Sequence, residues 1–453
     1  MRRFLTAMMA AGLLVAIAAP ANADELASAR DIRAAVDSYM STTEQEANRV
    51  GGPGSAGYDD GIWISAGDFK MMINATLQAR FEAWNEDTEA PGARNPYAGD
   101  TSGFSLPRAT LKFSGTAPCN ICWYMELEFG HWGSDVFENN AGFNPGDNTA
   151  QGLFQSGNFD NTREAWIEWC NCDAFNFRMG QIKLPTTRQL MVAPEHQQFI
   201  DVSLGSAWTA AWMPGLTDRN RDHGFMVHGS FGCSNEWSYQ IAVTNGDGGD
   251  SMRNVLDHRT SDNLAFGARL NYAFLGPIGY VEGALANDSC AWAGEIGVWG
   301  HYYADRSDKP HAVQGDRLNA GADLALLYGG FSFTGAYNIQ EHTDVAVAGA
   351  DWSATSWLAQ LGYHFPGTAW EIAGRASSYE WTSPANAVGD VFEFAFGVNY
   401  YLNGHNNKLQ VDVAFLEGTD NAAGINSPYP GYQATLGGEN SATMLRFQWQ
   451  LAL

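Results

Sequence analysis

Charged side chains of both signs recur on the polar faces of segments in which apolar and polar residues alternate. Charged groups two positions apart project to one side of an extended chain, where they can attract, hold or repel small ions and polar solutes. Residues 184–221, which lie between two such segments, add three arginines. The candidates for contact with solutes are therefore Arg80, Arg108, Lys112, Glu126, Glu128, Glu164, Glu168, Arg178, Arg188, Arg219 and Arg221.

Positive and negative charges nearly balance on these polar faces. The cationic side chains are eight, namely Arg80, Arg108, Lys112, Arg178, Arg269, Arg375, Lys408 and Arg446. The anionic side chains are nine, namely Glu82, Glu126, Glu128, Glu164, Glu168, Asp323, Glu371, Glu393 and Asp412. Two arrangements are open: the charges face one another across a space, or they pair between adjacent strands and only support the wall.

No motif in the chain indicates catalysis or a cofactor. The sequence has no Gly-x-Ser-x-Gly, no His-Glu-x-x-His and no phosphate-binding loop. Residues 245–250 resemble a fragment of a calcium loop but lack the 12-residue pattern, so a turn is the preferred interpretation. We therefore predict that the protein is not an enzyme and binds no cofactor or metal. A β-rich enzyme of the cell envelope remains the rival hypothesis.

The six cysteines fall in or beside predicted short turns. In an exported protein an even number of cysteines favours disulfides, within one turn or between neighbouring turns, and the sequence does not fix the pairing. A metal site is the alternative, because Cys119 and Cys122 have ligand spacing. The disulfide candidates are Cys119, Cys122, Cys170, Cys172, Cys233 and Cys290.

These residues require many extended elements to position them. Alternating segments start near residues 68, 105, 122, 162, 174, 222, 236, 263, 294, 317, 331, 355, 369, 391, 407 and 443. Most are about ten residues long, enough for a tilted strand to cross a bilayer, and their connections alternate between short and long. We predict a 16-stranded antiparallel outer-membrane β-barrel over residues 62–453, with short periplasmic turns and long external loops.

The last segment alternates up to the final residue. Leu445, Phe447 and Trp449 oppose Arg446 and Gln448 in MLRFQWQLAL, residues 444–453. A closed barrel has no edge strand, because its last strand pairs with its first. The full-length alternation of this segment is therefore what barrel closure predicts.

Residues before the predicted barrel differ in composition. Residues 1–23 have a basic start, an apolar run and an Ala-x-Ala site, which predicts a signal peptide and export. Apolar residues three or four apart in 24–50 predict a short periplasmic helix, either a coiled coil or a lone surface helix. The glycine-rich residues 51–61 are predicted to be a linker.

The formal net charge of −25 argues against nucleic acid as a partner. The eight predicted long loops together carry a net charge of −17. A mouth of this sign disfavours anions, although salt screens the effect beyond about 8 Å at physiological ionic strength.

Four stretches resemble the phosphate-selective porin O and P family. They are SLPRATLKFSG with WYMELEFG, REAWIEW with FNFRMGQIKLP, WSYQIAVTNGDG, and GVNYYLNGHNNKLQVDV. They occur in the order found in the family and span nearly the whole chain after the predicted signal peptide. Each motif is weak singly, and their shared order makes the resemblance fairly specific.

The resemblance implies a 16-stranded barrel, a homotrimer in outer-membrane lipid, and passive diffusion of small hydrophilic solutes and ions through a water-filled lumen. It also implies that the loop at 184–221 folds inward and forms the constriction, and that phosphate is a possible solute. The balanced wall and acidic loops depart from a phosphate-selective pattern. A plugged, structural barrel is the alternative hypothesis.

Overall fold

A computed structural model describes most of the predicted barrel and a short stretch before it. The described residues are 54–59, 61–88, 101–130, 162–211, 220–246, 264–285, 291–303, 316–343, 351–382, 388–418 and 440–453. The predicted signal peptide and the predicted helix at 24–50 lie outside these residues and stay predictions.

The strands account for most of the described chain. They are β1 Gly54–Tyr58, β2 Ile62–Ala66, β3 Phe69–Thr88, β4 Thr101–Ala117, β5 Ile121–Glu128, β6 Thr162–Cys172, β7 Phe175–Lys183, β8 Arg221–Phe231, β9 Trp237–Thr244, β10 Ala265–Gly276, β11 Ala293–Tyr303, β12 Asp316–Tyr328, β13 Phe331–Thr343, β14 Trp352–His364, β15 Trp370–Thr382, β16 Val388–Asn403, β17 Asn407–Gly418 and β18 Asn440–Ala452. Two short α-helices, α1 Arg188–Met191 and α2 Leu204–Ala211, and a 3-10 turn, Pro194–His196, lie between β7 and β8.

Strands β3 to β18 form one closed antiparallel barrel. Each strand pairs with the next along the chain, and β18 pairs back with β3 from Ala452 opposite Thr76 to Asn440 opposite Thr88. The predicted 16-stranded barrel is therefore confirmed, as is the pairing of the last strand with the first. Every barrel strand begins within four residues of its predicted start.

Strands β1 and β2 pair with each other as a short hairpin. The hydroxyl groups of Ser55 and Ser65 share a hydrogen bond of 2.7 Å across it. The hairpin begins inside residues 51–61, the stretch that the sequence analysis interprets as a linker.

The two faces of each barrel strand differ sharply in character. On β18, Trp449 on the outer face is 54% exposed, whereas Gln448 and Gln450 on the inner face are fully buried. The same contrast holds on β16, where Phe394 and Phe396 are exposed and Glu393 is buried. An outer surface of this kind would be an aggregation site in water, whereas it matches the hydrocarbon core of a bilayer. Among the described residues, no helix has the length and apolar character needed to cross a membrane.

Aromatic side chains pair at the strand ends next to the short turns. Trp237 stacks on Tyr272 with a ring-centroid distance of 4.3 Å, and Trp370 lies 4.6 Å from Tyr400. Because aromatic rings favour the boundary between hydrocarbon and water, these pairs indicate where the turn-side end of the barrel leaves the apolar layer.

One disulfide joins two neighbouring strands near the turn-side rim. Cys122 on β5 is bonded to Cys170 on β6, 48 positions later in sequence, so the predicted disulfides are confirmed for this pair. The thiols of Cys119, Cys172 and Cys233 are free and exposed. Cys290 lies outside the described residues.

Removal of the Cys122–Cys170 bond is expected to destabilise the barrel. Loop-closure entropy for a separation of this length is worth about 4 kcal/mol. Peptide mapping of the oxidised protein should find Cys122 linked to Cys170, and the C122S/C170S variant should have a lower melting temperature than the wild type. A C119S variant is the control and should melt as the wild type does. An unlinked Cys122, or an unchanged melting temperature in the double variant, would contradict this assignment.

Candidate functional site in the barrel lumen

The chain between β7 and β8 enters the barrel. Residues 184–211, called the loop segment below, bond to strands on widely separated parts of the wall. Its partners include Lys112 on β4, Glu295 on β11, Gln340 on β13 and Glu393 on β16. Because these strands surround the lumen, a segment that contacts all of them must lie inside it.

The local sequence explains how the loop segment leaves the wall. Its base is closed by Asn220, whose carbonyl accepts a hydrogen bond from the amide of Leu184 and whose side chain donates to the Leu184 carbonyl and the Thr186 hydroxyl. Asn220 has a φ of +74°, which asparagine tolerates better than most residues. Pro194 begins the 3-10 turn, where its missing amide hydrogen is not needed.

Asp201 anchors the loop segment to the wall. Its carboxylate lies 2.8 Å from the Nη1 atoms of both Arg80 and Arg446 and 3.4 Å from Nη2 of Arg108. Burial alone would raise the pKa of the Asp201 carboxyl, but the three guanidinium groups together hold this pKa well below its usual range. Asp201 therefore stays ionised, and its stabilising contribution, complete above the unfolded pKa of about 4, is lost only as the pH falls through the depressed folded value.

A second acidic residue of the loop segment faces Lys112. Burial raises the pKa of the Glu195 carboxyl, but the adjacent Lys112 ammonium overcomes this effect and lowers the pKa to about 2. Next to it, the rings of His196 and His405 meet edge to face at 5.3 Å. Burial lowers the pKa of both imidazoles, that of His405 to about 2. This contact therefore remains uncharged at neutral pH.

A shorter segment enters the lumen from the opposite end. Residues 277–285, called the turn segment below, follow β10 on the turn side of the barrel. The amide of Glu282 donates to the carbonyl of His196 at 3.1 Å, and the Tyr280 hydroxyl accepts from Arg269 at 3.2 Å. The inward course of this segment is not predicted from the sequence. A connection of this length on the side of the short turns nevertheless indicates that it has a role beyond joining two strands.

Exposure divides the ion pairs of the wall into two groups. The side chains of the Arg446–Asp412, Arg269–Asp323 and Arg375–Glu393 pairs are at most 2% exposed, because the loop segment covers them. On β4 to β8 the pairs are more accessible: the Arg178 side chain is 20% exposed, that of His228 21%, and those of Lys112 and Glu128 14%. Solvent therefore reaches the wall mainly on the side of β4 to β8.

An aromatic and cationic stack lies on the accessible side of the lumen. The Arg178 guanidinium sits 3.7 Å above the ring of Trp166, and the ring of Tyr124 stacks on Trp166 at 5.5 Å. The Nε of Arg178 donates to Glu168 at 2.5 Å, and the same carboxylate oxygen lies 2.8 Å from Nε2 of His228. A guanidinium held flat by a ring and a carboxylate has few rotamers left, so its charge is fixed in position.

The candidate residues predicted from the sequence fall into the same two groups, covered and accessible. Arg80, Arg108 and Arg188 are buried beneath or within the loop segment. Lys112 and Arg221 pair with Glu195 and Glu164. Of the predicted set, the accessible side carries Lys112, Glu126, Glu128, Glu164, Glu168, Arg178 and Arg221. Arg219 lies outside the described residues.

The lumenal charges pair in two ways, of which one is an arrangement that the sequence left open and the other was not predicted. Arg178 pairs with Glu168 directly opposite on the adjacent strand, which is the wall-supporting arrangement. Arg108 and Lys112 instead pair with acidic residues of the loop segment. The structure therefore uses wall pairs on β6 and β7 and loop-to-wall pairs on β3, β4 and β18.

Sequence reasoning missed several lumenal charges. Arg163 has the parity of an outward-facing residue, but a β-bulge between β5 and β6 turns it inward to Glu126 at 3.2 Å. Asp201, Glu195 and Glu282 lie on segments without strand periodicity, so parity could not place them. The one signal available in the sequence was that acidic residues of the long loop could pair with arginines and lysines of the wall.

Comparison with known proteins identifies the family. The sequence matches the profile of the family described as phosphate-selective porin O and P over residues 77–427. The chain belongs to this family. The porin is thus an outer-membrane channel that lets small hydrophilic solutes diffuse passively, as the sequence resemblance implies.

Solved structures show the same fold at low identity. An anion-selective porin from Comamonas acidovorans aligns with 85% of this porin and 100% of its own chain, at 14% identity and a TM-score of 0.57. The outer-membrane-expressed OmpT of Vibrio cholerae aligns with 85% of this porin and 99% of its own chain, at 9% identity and a TM-score of 0.50. No protein with a curated description matches the sequence.

Replacement of Asp201 by alanine is expected to release the loop segment from the wall. The change leaves three guanidinium groups without their shared carboxylate, and breaking a buried ion pair costs about 3–5 kcal/mol. We expect larger and noisier single-channel currents than in the wild type, measured in planar bilayers. Asp173→Ala, which removes an exposed turn carboxylate, is the control. Wild-type currents in Asp201→Ala would show that Asp201 does not hold the segment.

Proposed function

We propose that solutes cross this porin along the inner faces of β4 to β8, between the wall and the loop segment. The observation that carries the proposal is the contrast in exposure between the covered ion pairs on β10 to β18 and the accessible ones on β4 to β8. The loop segment then forms the constriction, because it fills the rest of the lumen at this level. Fixed charges on Lys112, Arg178 and Glu128 face the passing solute.

The acidic loops favour weak cation selectivity. The ion pairs along the described path involve four cationic side chains, Lys112, Arg163, Arg178 and Arg221, and five anionic ones, Glu126, Glu128, Glu164, Glu168 and Glu195. Lys183 on β7, whose Nζ donates to the Met191 carbonyl of the loop segment, adds a fifth cationic side chain. Each of the first four cations has a carboxylate within ion-pair distance. The path is therefore balanced in charge, and the acidic loops in the sequence attract cations to its mouth.

Phosphate selectivity is less well supported by these residues. Tight phosphate binding needs several guanidinium or ammonium groups that converge on one site and are not already neutralised. In the described part of the lumen, the arginines with the most converging geometry, Arg80, Arg108 and Arg446, share Asp201. Phosphate is therefore proposed as one of several permitted solutes and not as the preferred one.

The setting of the porin is proposed from its family and its surface. The apolar outer face contacts outer-membrane lipid, and residues 1–23 are removed as a signal peptide during export. The porin assembles as a homotrimer, the state implied by its family. We further propose that it has no catalytic activity, in keeping with the channel family to which it belongs.

A plugged barrel with a structural role is the second candidate. Both inward segments fill part of the lumen, and lumenal groups such as Glu371, Lys408 and Gln448 are fully buried. A plugged barrel conducts no ions. Purified protein in a planar bilayer separates the two candidates, because the proposed porin produces stepwise conductance and the plugged barrel produces none.

Reversal of the charge at position 178 tests the path. In Arg178→Glu the path gains two negative charges, and we expect the K⁺/Cl⁻ permeability ratio from the reversal potential in a KCl gradient to rise. Each unit of charge changed at 4 Å from a passing ion alters its energy by about 1 kcal/mol in water, which is roughly a fivefold change in the permeability of that ion.

Arg178→Lys is the matched control for this test. It keeps the charge while losing the planar stack on Trp166, so its reversal potential should match the wild type. An unchanged reversal potential in Arg178→Glu would place the path elsewhere. A wild-type preference for anions together with block by added phosphate would instead overturn the proposed cation selectivity.

A further inference from the structure

The carboxylate of Glu282 is one of the points at which the turn segment meets the loop segment. Glu282 lies on the turn segment, is 2% exposed, and accepts three hydrogen bonds. Its Oε1 accepts from Nε2 of Gln189 at 3.0 Å, and its Oε2 accepts from the amide of Gln198 at 2.9 Å. The third donor is Nε2 of Gln360 on β14, at 3.1 Å. One side chain therefore touches the turn segment, the loop segment and the wall.

Gln198 bonds this junction to three adjacent strands of the wall. Its Nε2 donates to Glu371 on β15 at 2.8 Å and lies 3.1 Å from the Ser332 hydroxyl on β13. Its Oε1 accepts from Gln360 at 3.0 Å. The position of Gln198 is thus determined on one side by Glu282 and on the other by the wall.

The turn segment fits this junction closely. Gly283 has a φ of +78°, and a Cβ atom at this position would lie 2.7 Å from Oε1 of Glu371. Arg188 of the loop segment donates to the carbonyls of Gly279 and Val281. The turn segment therefore has one close-fitting position, next to the middle of the loop segment.

Glu282 differs from the other acidic anchors of the lumen. Asp201, Glu295 and Glu393 pair with arginines, whereas no ion pair within the described residues includes Glu282. Its donors are a backbone amide and two carboxamides, which attract it less strongly than a guanidinium and only at short range. This junction consequently depends on the exact positions of both segments. Loss of the carboxylate leaves only the Glu282 amide bond to His196 and the bonds of Arg188 to Gly279 and Val281 to hold them.

We propose that Glu282 is the positioning residue that fixes the width of the solute path, by clamping the turn segment to the loop segment. The clamp holds the loop segment at its centre, whereas Asp201 holds it to β3, β4 and β18. This inference rests on the proposed path along β4 to β8. It adds a second element, from the periplasmic turns, that determines how far the loop segment extends over the path.

Glu282→Ala and Glu282→Gln, compared in planar bilayers, test the clamp. Alanine removes all three hydrogen bonds, so we expect the single-channel conductance to rise about twofold and larger polymers to enter the pore. Glutamine keeps an acceptor for the Gln198 amide and Gln360, so its conductance should lie between those of alanine and the wild type. Glu341→Ala, which removes an outward, exposed carboxylate, should behave as the wild type.

The design separates positioning from charge and from folding. Equal increases in Glu282→Ala and Glu282→Gln would mean that the charge alone matters, and would overturn the clamp. Wild-type conductance in Glu282→Ala would overturn it as well. Unfolding is monitored by the melting temperature, which should be unchanged because the barrel strands keep their pairing. If Glu282→Ala melts at a lower temperature than the wild type, Gln189→Ala is used in its place. This variant removes one donor from the loop side and should also raise the conductance.

The same measurements distinguish this inference from the proposed function. A wild type that conducts no current refutes the proposed path. A wild type that conducts, with an Arg178→Glu variant of altered selectivity and a Glu282→Ala variant of wild-type conductance, supports the path and refutes the clamp. In a double-mutant cycle, Glu282→Ala and Gln189→Ala should be non-additive, because both remove the same contact.

Discussion

The pairing of every backbone hydrogen-bonding group is the constraint on which the structure depends. Within hydrocarbon no water is present to satisfy an unpaired N–H or C=O group, so strands can cross only if the sheet closes. The closing pair here is β18 against β3, which is in register over the whole of β18. Closure in turn fixes the alternation of faces, and this alternation sends sixteen rows of polar side chains into one enclosed space.

The polar rows inside the barrel impose a second constraint, which is that their charged groups need partners. Charged groups turned inward are removed from bulk water, and burial without a partner would be costly. Ten arginine and lysine side chains of the described lumen lie within ion-pair distance of a carboxylate. The loop segment supplies some of those carboxylates, so it is held by the same charges that it neutralises. The proposed path then follows the side of the wall that the segment does not cover.

Sequence alone predicted the barrel far better than its interior. Period-two alternation located each barrel strand, because a sheet with one apolar and one polar face repeats that pattern at every strand. The same rule placed Arg178 and Glu168 on the inner face. It failed at Arg163, where a bulge inverts the parity, and at Glu282, whose segment has no periodicity. It also could not pair Asp201 with Arg446, 245 residues away in sequence, because such contacts arise only after the barrel closes.

The most direct test of the account is the accessibility of single cysteines from the lumen. In a background with Cys119, Cys172, Cys233 and Cys290 replaced by serine, His228→Cys lies on the proposed path and Gln448→Cys lies under the loop segment. A cationic thiol reagent added during current recording should react with His228→Cys and reduce its conductance, and should leave Gln448→Cys unchanged. Reaction at Gln448→Cys with no effect at His228→Cys would contradict a path along β4 to β8.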